Sequence, residues 1–557
     1  MPADIRQLTK RFQDLKALRA SWDPLCEEVR DFIMPDAGDF EGEDRRLGDK
    51  RYSKILNATA LASLDILAAG MQGGISSPSV PWFRLSTSDP KLDESAPVKQ
   101  WLADVQRKML MVFAKSEIYN SLHAAYGELA AFGTACSIIT PTENDRYLSY
   151  RNQTFGCYYL GANDLGLVDT VYRRVRMNAV DMWQRWGGKC TKAVKECVDK
   201  GDYYTTFDVI HAIEPRRERD VQKADSLNMP FQSVYFQPGA DHVLSESGYR
   251  TLPATCPRWH VAGNSVYGRG VGMKVLGAVK RLQHKEYRMA QAIDYLSNPP
   301  VVVPREFEGR MNDLRPGAIL FTNQTGKDAG VRSAYEVRVD IASLGDLIRK
   351  DEQSIKEAFF TNLFQMVAST AERQRTAYEV AQLEQEKMMV LGPVLERLTL
   401  ELFDPLINTA FDILLQAKGA IPAAPEELQD ADLSVEYVGT LMQAQKAAAT
   451  NSIDRLIGHL GTLVQIKPEV ADKFDADRSA EEYADMLGVP PELIVPGDKV
   501  MLIRRQRQQQ QEQAAQAQAQ MQMLSSPAGQ QMAQAFAQGQ QGGAGGEAGS
   551  LESLMSI

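Results

Sequence analysis

Apolar residues recur at intervals of three and four through several long segments of this chain, a pattern typical of amphipathic helices. The first such segment covers residues 4–33 and ends before Pro35. The second runs from about residue 53 to 69, and we expect it to stop at the glycines that follow. Residues 95–131 predict one or two more helices. The N-terminal part of the chain is therefore predicted to be helical.

The pattern changes between residues 134 and 260, where aromatic and β-branched residues alternate with turn signals. The tetrapeptide GAND at 161–164 and the pentapeptide QPGAD at 237–241 are typical turns between strands. This region is predicted to be mixed, with strand prominent. The chain as a whole is therefore expected to be α+β and mostly helical.

Two further helical segments flank a short β-rich insert. The first is followed by NPPVVVP, in which proline cannot continue a helix, so the chain becomes extended and the insert covers about 299–340. The second helix is expected over about 343–363. No apolar partner for either helix is evident in the sequence, which favours packing between copies of the chain, with packing inside one subunit as the alternative. The residues expected to make this contact are Val275, Val279, Leu282, Met289, Ile293, Leu296, Leu344, Ile348 and Ile355.

A polar interruption, QMVASTAERQRT, separates the second of these helices from a very long helical pattern over Ala377 to Ala417. The interruption is either a solvated connection or a flexible basic loop that meets a passing polyanion, and its candidate contact residues are Gln365, Arg373, Gln374 and Arg375. Within the long pattern we expect a kink at Gly392-Pro393, with Asp404-Pro405 as a second possible kink.

The C-terminal third reads as helical and rich in small residues. Residues 451–466 have an amphipathic pattern, and a helix is expected from Lys499 into a glutamine-rich segment. After Ser525 the composition is dominated by Gly, Gln and Ala, which is typical of disordered tails.

Composition narrows the possible functions. The chain has 557 residues, 44% of them hydrophobic and 24% charged, as in ordinary soluble proteins, and a formal net charge of −10. An acidic chain is a poor candidate for tight, sequence-independent DNA binding, which needs Lys and Arg to displace counterions. The nearly charge-free segment 66–83 is interrupted by Gly, Ser and Pro, so no membrane span is expected there.

The residues that most often carry chemistry are scattered. The six cysteines form no CxxC pair, and the six histidines have no metal-like spacing, so we expect a reduced intracellular protein without a metal or cofactor. The glycine-rich segment GNSVYGRGVGMK at 263–274 invites comparison with phosphate-binding loops. Arg269 and Gly270 stand where a P-loop needs Lys and Ser or Thr, and Met273 replaces the third glycine of a dinucleotide fingerprint. A nucleotide-binding enzyme is therefore the disfavoured alternative, and a turn that leads into a helix is the preferred interpretation.

Five segments, taken in order, resemble the portal (head-to-tail connecting) proteins of short-tailed double-stranded DNA phages. Each is weakly specific alone, but their shared order is strongly specific. They are ILAAGMQGGISSPSVPWFRL (66–85), NDLGLVDTVYRRVRMNAVDM (163–182), YGRGVGMKVLGAVKRLQ (267–283), RTAYEVAQLEQEKMMVLGPVLERLTLELFDPLI (375–407) and FDADRSAEEYADMLGVPPELI (474–494).

The resemblance implies an assignment of parts. These are an outer wing at 1–267 and 376–440, a stem at 268–298 and 341–363, a clip at 299–340, a channel loop at 364–375, a crown at 441–497, a barrel helix at 498–524 and a disordered tail at 525–557. Candidate docking residues in the clip are Arg305, Glu306, Glu308 and Arg310.

The resemblance also implies a function. Proteins of this family form rings, usually of twelve copies, at one capsid vertex of the virion, and they are assembled in the bacterial cytoplasm beside major capsid and scaffolding proteins. Double-stranded DNA passes through the ring without sequence-specific recognition, driven by a separate terminase whose place adaptor and tail (nozzle) proteins later take. This is a structural role and not an enzymatic one. A scaffold or tail adaptor without a channel is a further alternative.

Overall fold

In the computed structural model, the N-terminal segment forms two helices and not the single helix expected over residues 4–33. They are α1 (Ile5–Ala20) and α2 (Asp23–Ile33), separated at Ser21 and Trp22. The Asp4 side chain accepts a hydrogen bond from the Arg6 N–H and caps α1, and Pro24 lies in the first turn of α2, where a missing N–H is tolerated. The break allows the two helices to enter different apolar clusters.

The structure describes most of the first 300 residues and several later segments. The described residues are 4–42, 50–89, 92, 95–142, 147–223, 225–297, 301–302, 332–333, 340–369, 391–417, 419–428, 433–438, 456, 458–461, 467, 474–479, 495 and 497–525. The chain divides into two units, residues 1–448 and residues 449–557.

Three helices follow in the first unit: α3 (Thr59–Ile75), α4 (Ala96–Lys115) and α5 (Ile118–Phe132). The last two confirm the prediction for residues 95–131. The expectation that α3 stops at its glycines is wrong, because α3 continues past Gly70. A Cβ atom at Gly70 would lie 2.2 Å from the Phe364 ring, so glycine here allows that ring to pack against the helix.

The region between residues 134 and 260 is strand-rich, as predicted. A three-stranded antiparallel sheet has the order β3-β2-β9 and consists of β2 (Cys136–Pro141), β3 (Leu148–Gln153) and β9 (Ala254–Thr255). A five-stranded antiparallel sheet runs in chain order and consists of β4 (Tyr158–Ala162), β5 (Val168–Asn178), β6 (Thr206–Pro215), β7 (Phe231–Phe236) and β8 (Val243–Tyr249).

Helices cover the five-stranded sheet with two separate apolar clusters. In one, α1 packs against the sheet through Phe12, whose ring lies 5.1 Å from that of Tyr159 in an edge-on arrangement. In the other, Met182 of α6 (Ala179–Trp186) and Val194 of α7 (Lys192–Lys200) are buried against Val209 and Leu244. The predicted mixed α+β fold is confirmed.

The helical segments around the insert are α8 (Val271–Ser297), α9 (Ile341–Ala358) and α10 (Thr361–Ser369). Within the insert, the described residues form a short antiparallel pair, β10 (Val301–Val302) and β11 (Arg332–Ser333). The helix expected over 343–363 is interrupted at Phe359 and Phe360, and Phe360 has a positive φ of 55°. The chain therefore changes direction just before α10.

A π-helical segment lies within the long C-terminal helix of the first unit. Residues 391–398 are helical, Thr399–Phe403 is a π-turn, and α11 covers Asp404–Gln416. Pro405 has no N–H for the Glu401 carbonyl, and the Asp404 N–H donates to Thr399, five residues back. The irregularity therefore stands at the second expected kink, whereas Gly392 and Pro393 lie inside the helical residues. Residues 377–390 lie outside the described residues.

The main core joins these helices to the three-stranded sheet. The Trp82 ring, in the segment PWF, lies 4.8 Å from Phe83 and 5.3 Å from Phe403. Phe83 begins β1 (Phe83–Thr87), which pairs antiparallel with β12 (Leu433–Tyr437) and so connects distant parts of the chain. In the second unit, α12 (Gly497–Ser525) agrees with the helix predicted from Lys499. Among the described residues, no helix is both long and apolar enough to cross a membrane.

Candidate functional site: the helix pair and its glycine joint

Helices α8 and α9 run antiparallel and are joined by one buried carboxylate. Asp351 of α9, whose side chain is 7% exposed, accepts from Arg281 Nη2 and from Lys285 Nζ of α8, each at 2.7 Å. The hydrogen bond from Arg281 is the main cause that lowers the pKa of Asp351. Partial burial opposes the shift, and the hydrogen bond from Lys285 adds to it. Two cations on consecutive turns therefore fix the register of the two helices.

A loop from the N-terminal region clasps the same helix pair. The buried Gln283 side chain accepts from the Leu56 and Asn57 N–H groups, at 2.7 and 2.9 Å, and donates to the Asn57 carbonyl at 2.8 Å. The Asn57 amide in turn donates to Glu286 of α8 and to Glu352 of α9, both at 2.8 Å. The segment before α3 is thereby tied to both helices at once.

The apolar stripe of the helix pair is divided between core and surface. Val275, Val279, Leu282, Ile348 and Ile355 are buried in the chain's own core. These five side chains are already covered within one chain, which favours the alternative of packing inside one subunit. Further along the pair, Met289 and Leu344 pack partly against the core, and Ile293 and Leu296 are each 44% exposed.

The glycine-rich segment at residues 268–272, called the glycine joint below, packs against the C-terminal end of α5. A Cβ atom at Gly268 would lie 2.3 Å from the Gly133 carbonyl oxygen, and one at Gly270 would lie 2.5 Å from the Ala130 carbonyl oxygen. Gly133 itself ends α5 with φ of 79°. The glycines therefore serve a backbone-to-backbone crossing within one chain, where the sequence predicted a turn that leads into a helix.

Backbone donors of this joint are already used inside the chain. The Gly268 N–H donates to Thr134 Oγ1 at 2.8 Å, and the Arg269 N–H donates to the His260 carbonyl at 2.7 Å. The Arg269 guanidinium lies 5.3 Å from the centre of the Trp22 ring, a cation–π contact. These contacts leave the segment poorly suited to cradle a phosphate, which needs convergent free N–H groups.

A buried ion pair holds the joint to the long C-terminal helix. Arg258 and Glu401 have side chains only 2% and 8% exposed, and Arg258 Nη2 lies 2.5 Å from Glu401 Oε1. The Arg258 N–H also donates to Glu401 at 2.9 Å, and Arg397 approaches the same carboxylate at 3.1 Å. Because Glu401 lies in the π-turn, that irregular turn is what presents its carboxylate to the joint.

An open cleft of about 570 Å³ lies beside the helix pair. It is lined by the start of α3 and by residues of α9 and α10, among them Ile66, Lys356 and Gln365. Within the described part of the chain, no group of three or more His, Cys, Asp or Glu side chains is placed to hold a metal ion. The arrangement is one of ion pairs, packed helices and close backbone contacts.

Comparisons with known proteins show the family of the chain. A sequence model of the family described as bacteriophage head to tail connecting protein matches residues 6–495. The chain belongs to this family. It is 47% identical over 502 residues to the probable portal protein of Bordetella phage BPP-1, and 38% identical over 506 residues to the portal protein of Salmonella phage epsilon15. Each alignment covers 90% of both chains.

In this head-to-tail connecting protein, few of the candidate contact residues for DNA and docking are described. Gln365 was expected in the loop over 364–375, but Thr361–Ser369 is helical, so Gln365 lies in α10 and the first part of the expected loop is helix. Its side chain is exposed and lines the cleft. The other candidates of the polar loop, Arg373, Gln374 and Arg375, lie outside the described residues. So do the docking candidates of the insert, Arg305, Glu306, Glu308 and Arg310.

Several residues that position the helix pair were missed by the sequence interpretation. Asp351 falls between Ile348 and Ile355 at helical spacing, and Gln283 follows Leu282 on the apolar side of α8. A polar residue at an apolar stripe position is the signal that could have identified both, because a buried polar group needs a partner. Arg258 and Glu401 carry no such signal in the sequence.

Proposed function

We propose that this chain is a portal subunit. In this proposal it forms a closed homo-oligomeric ring at one capsid vertex, through which double-stranded DNA is packaged and later ejected. The family match over residues 6–495 carries the proposal, supported by relatives named portal proteins that align over 90% of their length. Terminase would dock on the ring first and adaptor and tail proteins afterwards, and capsid and scaffolding proteins would surround it.

The parts of the subunit follow from the same proposal. Residues 1–267 and 376–440 would form the wing, 268–298 and 341–363 the stem, 299–340 the clip, 364–375 the channel loop, 441–497 the crown and 498–524 the barrel helix, with 525–557 as a tail. The stem would then be the α8–α9 pair, stiffened by Asp351 and clasped by Asn57. A rigid pair suits a ring wall, because it keeps the same shape in every copy.

The negative net charge of the chain supports a DNA channel that binds the passing duplex only weakly. The net charge of −10 per chain would repel the duplex from the wall, whereas a few basic loop positions, Arg373 and Arg375, would touch it transiently. A channel lined with many cations would retain the phosphate backbone and oppose its movement. The proposal therefore requires weak contact with DNA.

We propose that contacts between copies lie near the C-terminal end of α8. Ile293 and Leu296 are large apolar side chains left 44% exposed, beyond the part of the stripe that the chain covers itself. Burying such side chains against a neighbour is favourable by about 25 cal/mol per Å² of apolar surface removed from water. We propose that they pack on a neighbouring subunit.

The nucleotide-binding alternative loses the observation that motivated it. The glycines at 268, 270 and 272 approach backbone atoms of α5, and the N–H groups of Gly268 and Arg269 already have partners. A scaffold or adaptor without a channel is distinguished from a portal by whether the ring has a pore wide enough for duplex DNA.

The experiment is imaging of the purified full-length chain by negative-stain microscopy, with its mass measured in solution. Rings with a central pore are expected, and their mass gives the copy number, for which the family expectation is twelve. A chain that stays monomeric even with its scaffolding protein would refute the proposal, and a ring without a pore wide enough for duplex DNA would favour the adaptor alternative.

A matched pair of variants tests the contact residues. Ile293→Asp with Leu296→Asp should prevent ring formation without unfolding the monomer, since both side chains are exposed in the single chain. Leu165→Asp, at a position 78% exposed in the turn before β5, should leave rings unchanged. Normal ring formation by the double variant would show that Ile293 and Leu296 do not contribute to the subunit interface.

A further inference from the structure

Two cysteines face each other across the β2–β9 pair. Ser137 pairs with Thr255 and Ile138 with Ala254, so the same register places Cys136 opposite Cys256. The Ala135 N–H donates to the Pro257 carbonyl at 3.1 Å, and the Ile139 N–H donates to the Pro253 carbonyl at 2.8 Å. The ladder bonds thus fall on the odd-numbered residues of β2, and the two cysteines form a non-hydrogen-bonded pair.

This kind of pair has the geometry that a disulfide requires. Directly opposed residues without ladder bonds have Cα atoms about 4.5 Å apart, within the range of roughly 4.4–6.8 Å seen for disulfides. The two sulfurs already lie 3.7 Å apart, with Cys256 donating to Cys136. A covalent bond of about 2.05 Å needs only a small rotation of each side chain.

Other thiols of the chain are directed elsewhere. Cys157 donates to the Asp39 carboxylate at 3.4 Å, and Cys190 donates to the Met182 carbonyl at 3.3 Å. The alignment of Cys136 with Cys256 is therefore a property of the β2–β9 register.

We propose that Cys136 and Cys256 form an intrachain disulfide when the folded protein meets hydrogen peroxide or a similar small two-electron oxidant. Cys256 is 4% exposed and Cys136 is 0% exposed, so Cys256 is the point of attack. Its thiolate attacks one peroxide oxygen, the O–O bond breaks, and a sulfenic acid and water result once the departing hydroxide takes up the thiol proton. The Cys136 sulfur then attacks the Cys256 sulfur and expels hydroxide, which leaves as water with the Cys136 proton. Two thiols and one peroxide thus give one disulfide and two waters.

Burial makes this reaction slow and selective. The hydrogen bond to Cys136 and burial both raise the pKa of Cys256, so the reactive thiolate is rare in the folded state. Large disulfide reagents have no access to the pair, whereas peroxide is small enough to enter when the sheet opens briefly. We therefore expect the pair to stay reduced under mild conditions and to react over hours with peroxide.

The Cys136–Cys256 disulfide would restrain the strands next to the glycine joint. Next to the two cysteines, the Trp259 N–H donates to the Gly133 carbonyl at 2.9 Å, and Gly133 is the residue against which Gly268 and Gly270 pack. The disulfide would connect residues 120 apart in sequence, so it would restrict the unfolded chain and raise the melting temperature.

The test is peptide mapping of the oxidised full-length protein. After peroxide treatment and alkylation in denaturant, we expect a linked Cys136–Cys256 peptide and a fall from six alkylatable thiols to four, reversed by dithiothreitol. The melting temperature of the oxidised protein should rise. The proposal is overturned if Cys136 and Cys256 remain alkylatable while other cysteines oxidise, or if both become sulfinic or sulfonic acids without a link.

Single variants separate the two roles. Cys136→Ala should leave a sulfenic acid at Cys256 that dimedone traps, and Cys256→Ala should leave Cys136 unreactive. Cys197→Ala, a half-buried thiol elsewhere in the chain, is the matched control and should still form the link with the same rise in melting temperature. Trapping at Cys136 and not at Cys256 would contradict the order of attack. Peptide mapping of the oxidised wild-type chain shows whether the disulfide forms, even if a variant fails to fold.

Discussion

Gly270→Ala should destabilise the chain by clashing with its own backbone. The added Cβ atom would lie 2.5 Å from the Ala130 carbonyl oxygen and 2.6 Å from the Gly133 nitrogen. These are main-chain atoms at the end of α5, and they cannot rotate away as a flexible side chain would. Either the end of α5 or the start of α8 must move, and such overpacking costs about 1–3 kcal/mol of folding free energy.

Gly277→Ala is the matched control, because it makes the same chemical change two turns further along α8. Nothing lies within 4 Å of a Cβ atom at Gly277. Alanine there should stabilise the helix by roughly 0.5–1 kcal/mol, since glycine loses more backbone freedom on folding. The two variants should therefore differ by roughly 1.5–4 kcal/mol in free energy of unfolding, with opposite signs relative to the wild type.

Urea unfolding followed by tryptophan fluorescence measures this difference. All proteins should be compared at one concentration, because association shifts apparent stability. A Gly270→Ala variant as stable as the wild type would refute the backbone crossing as the reason for glycine. Tight ATP binding by the wild type that Gly270→Ala abolishes would instead revive the nucleotide-binding hypothesis.

Three further predictions concern charges. Arg281 and Lys285 hold the pKa of Asp351 below its ordinary value of about 3.9, so its stabilisation is complete above that pH and is lost as pH falls through the lowered pKa; Asp351→Asn should remove this part of the acid dependence of urea unfolding, and an unchanged acid profile would contradict it. Glu401→Gln should cost about 3 kcal/mol in the same assay because Arg258 stays buried without its full counter-charge, whereas Arg397→Gln, at the more exposed partner, should cost less than about 1 kcal/mol; equal losses would refute this difference. Arg373→Ala with Arg375→Ala should leave ring assembly intact but reduce the DNase-protected genome per particle, and normal packaging by this variant would exclude these two side chains from a channel role.

Local patterns in the sequence were sufficient for element types. The alternation between residues 134 and 260 predicted a strand-rich region, and the periodic stripe after residue 271 predicted a long helix. Both signals lie within neighbouring residues, so no knowledge of distant contacts was needed. The order of five segments along the chain was likewise enough to indicate the family, because order is a property of the sequence alone.

The single helix expected over residues 4–33 and the early end expected for α3 failed for a different reason. Periodicity is blind to what packs against a helix. The break at Ser21 allows α1 to cover the five-stranded sheet. At Gly70, the Phe364 ring, 294 positions away in sequence, occupies the space that a side chain would need, so this glycine serves packing and does not end α3.

Which parts of the stripe face the core was decided only by tertiary structure. Val279 and Ile293 look alike in the sequence, yet Val279 is fully buried in the chain's own core and Ile293 is left 44% exposed. The same holds for the polar contacts of the site, since Arg258 meets Glu401 across 143 positions and Asn57 meets Glu352 across 295. The sequence by itself determined the elements and the family, because periodicity and order are local or linear properties. The fold alone decided the partners of each side chain, because burial and ion pairing depend on which distant segments meet in space.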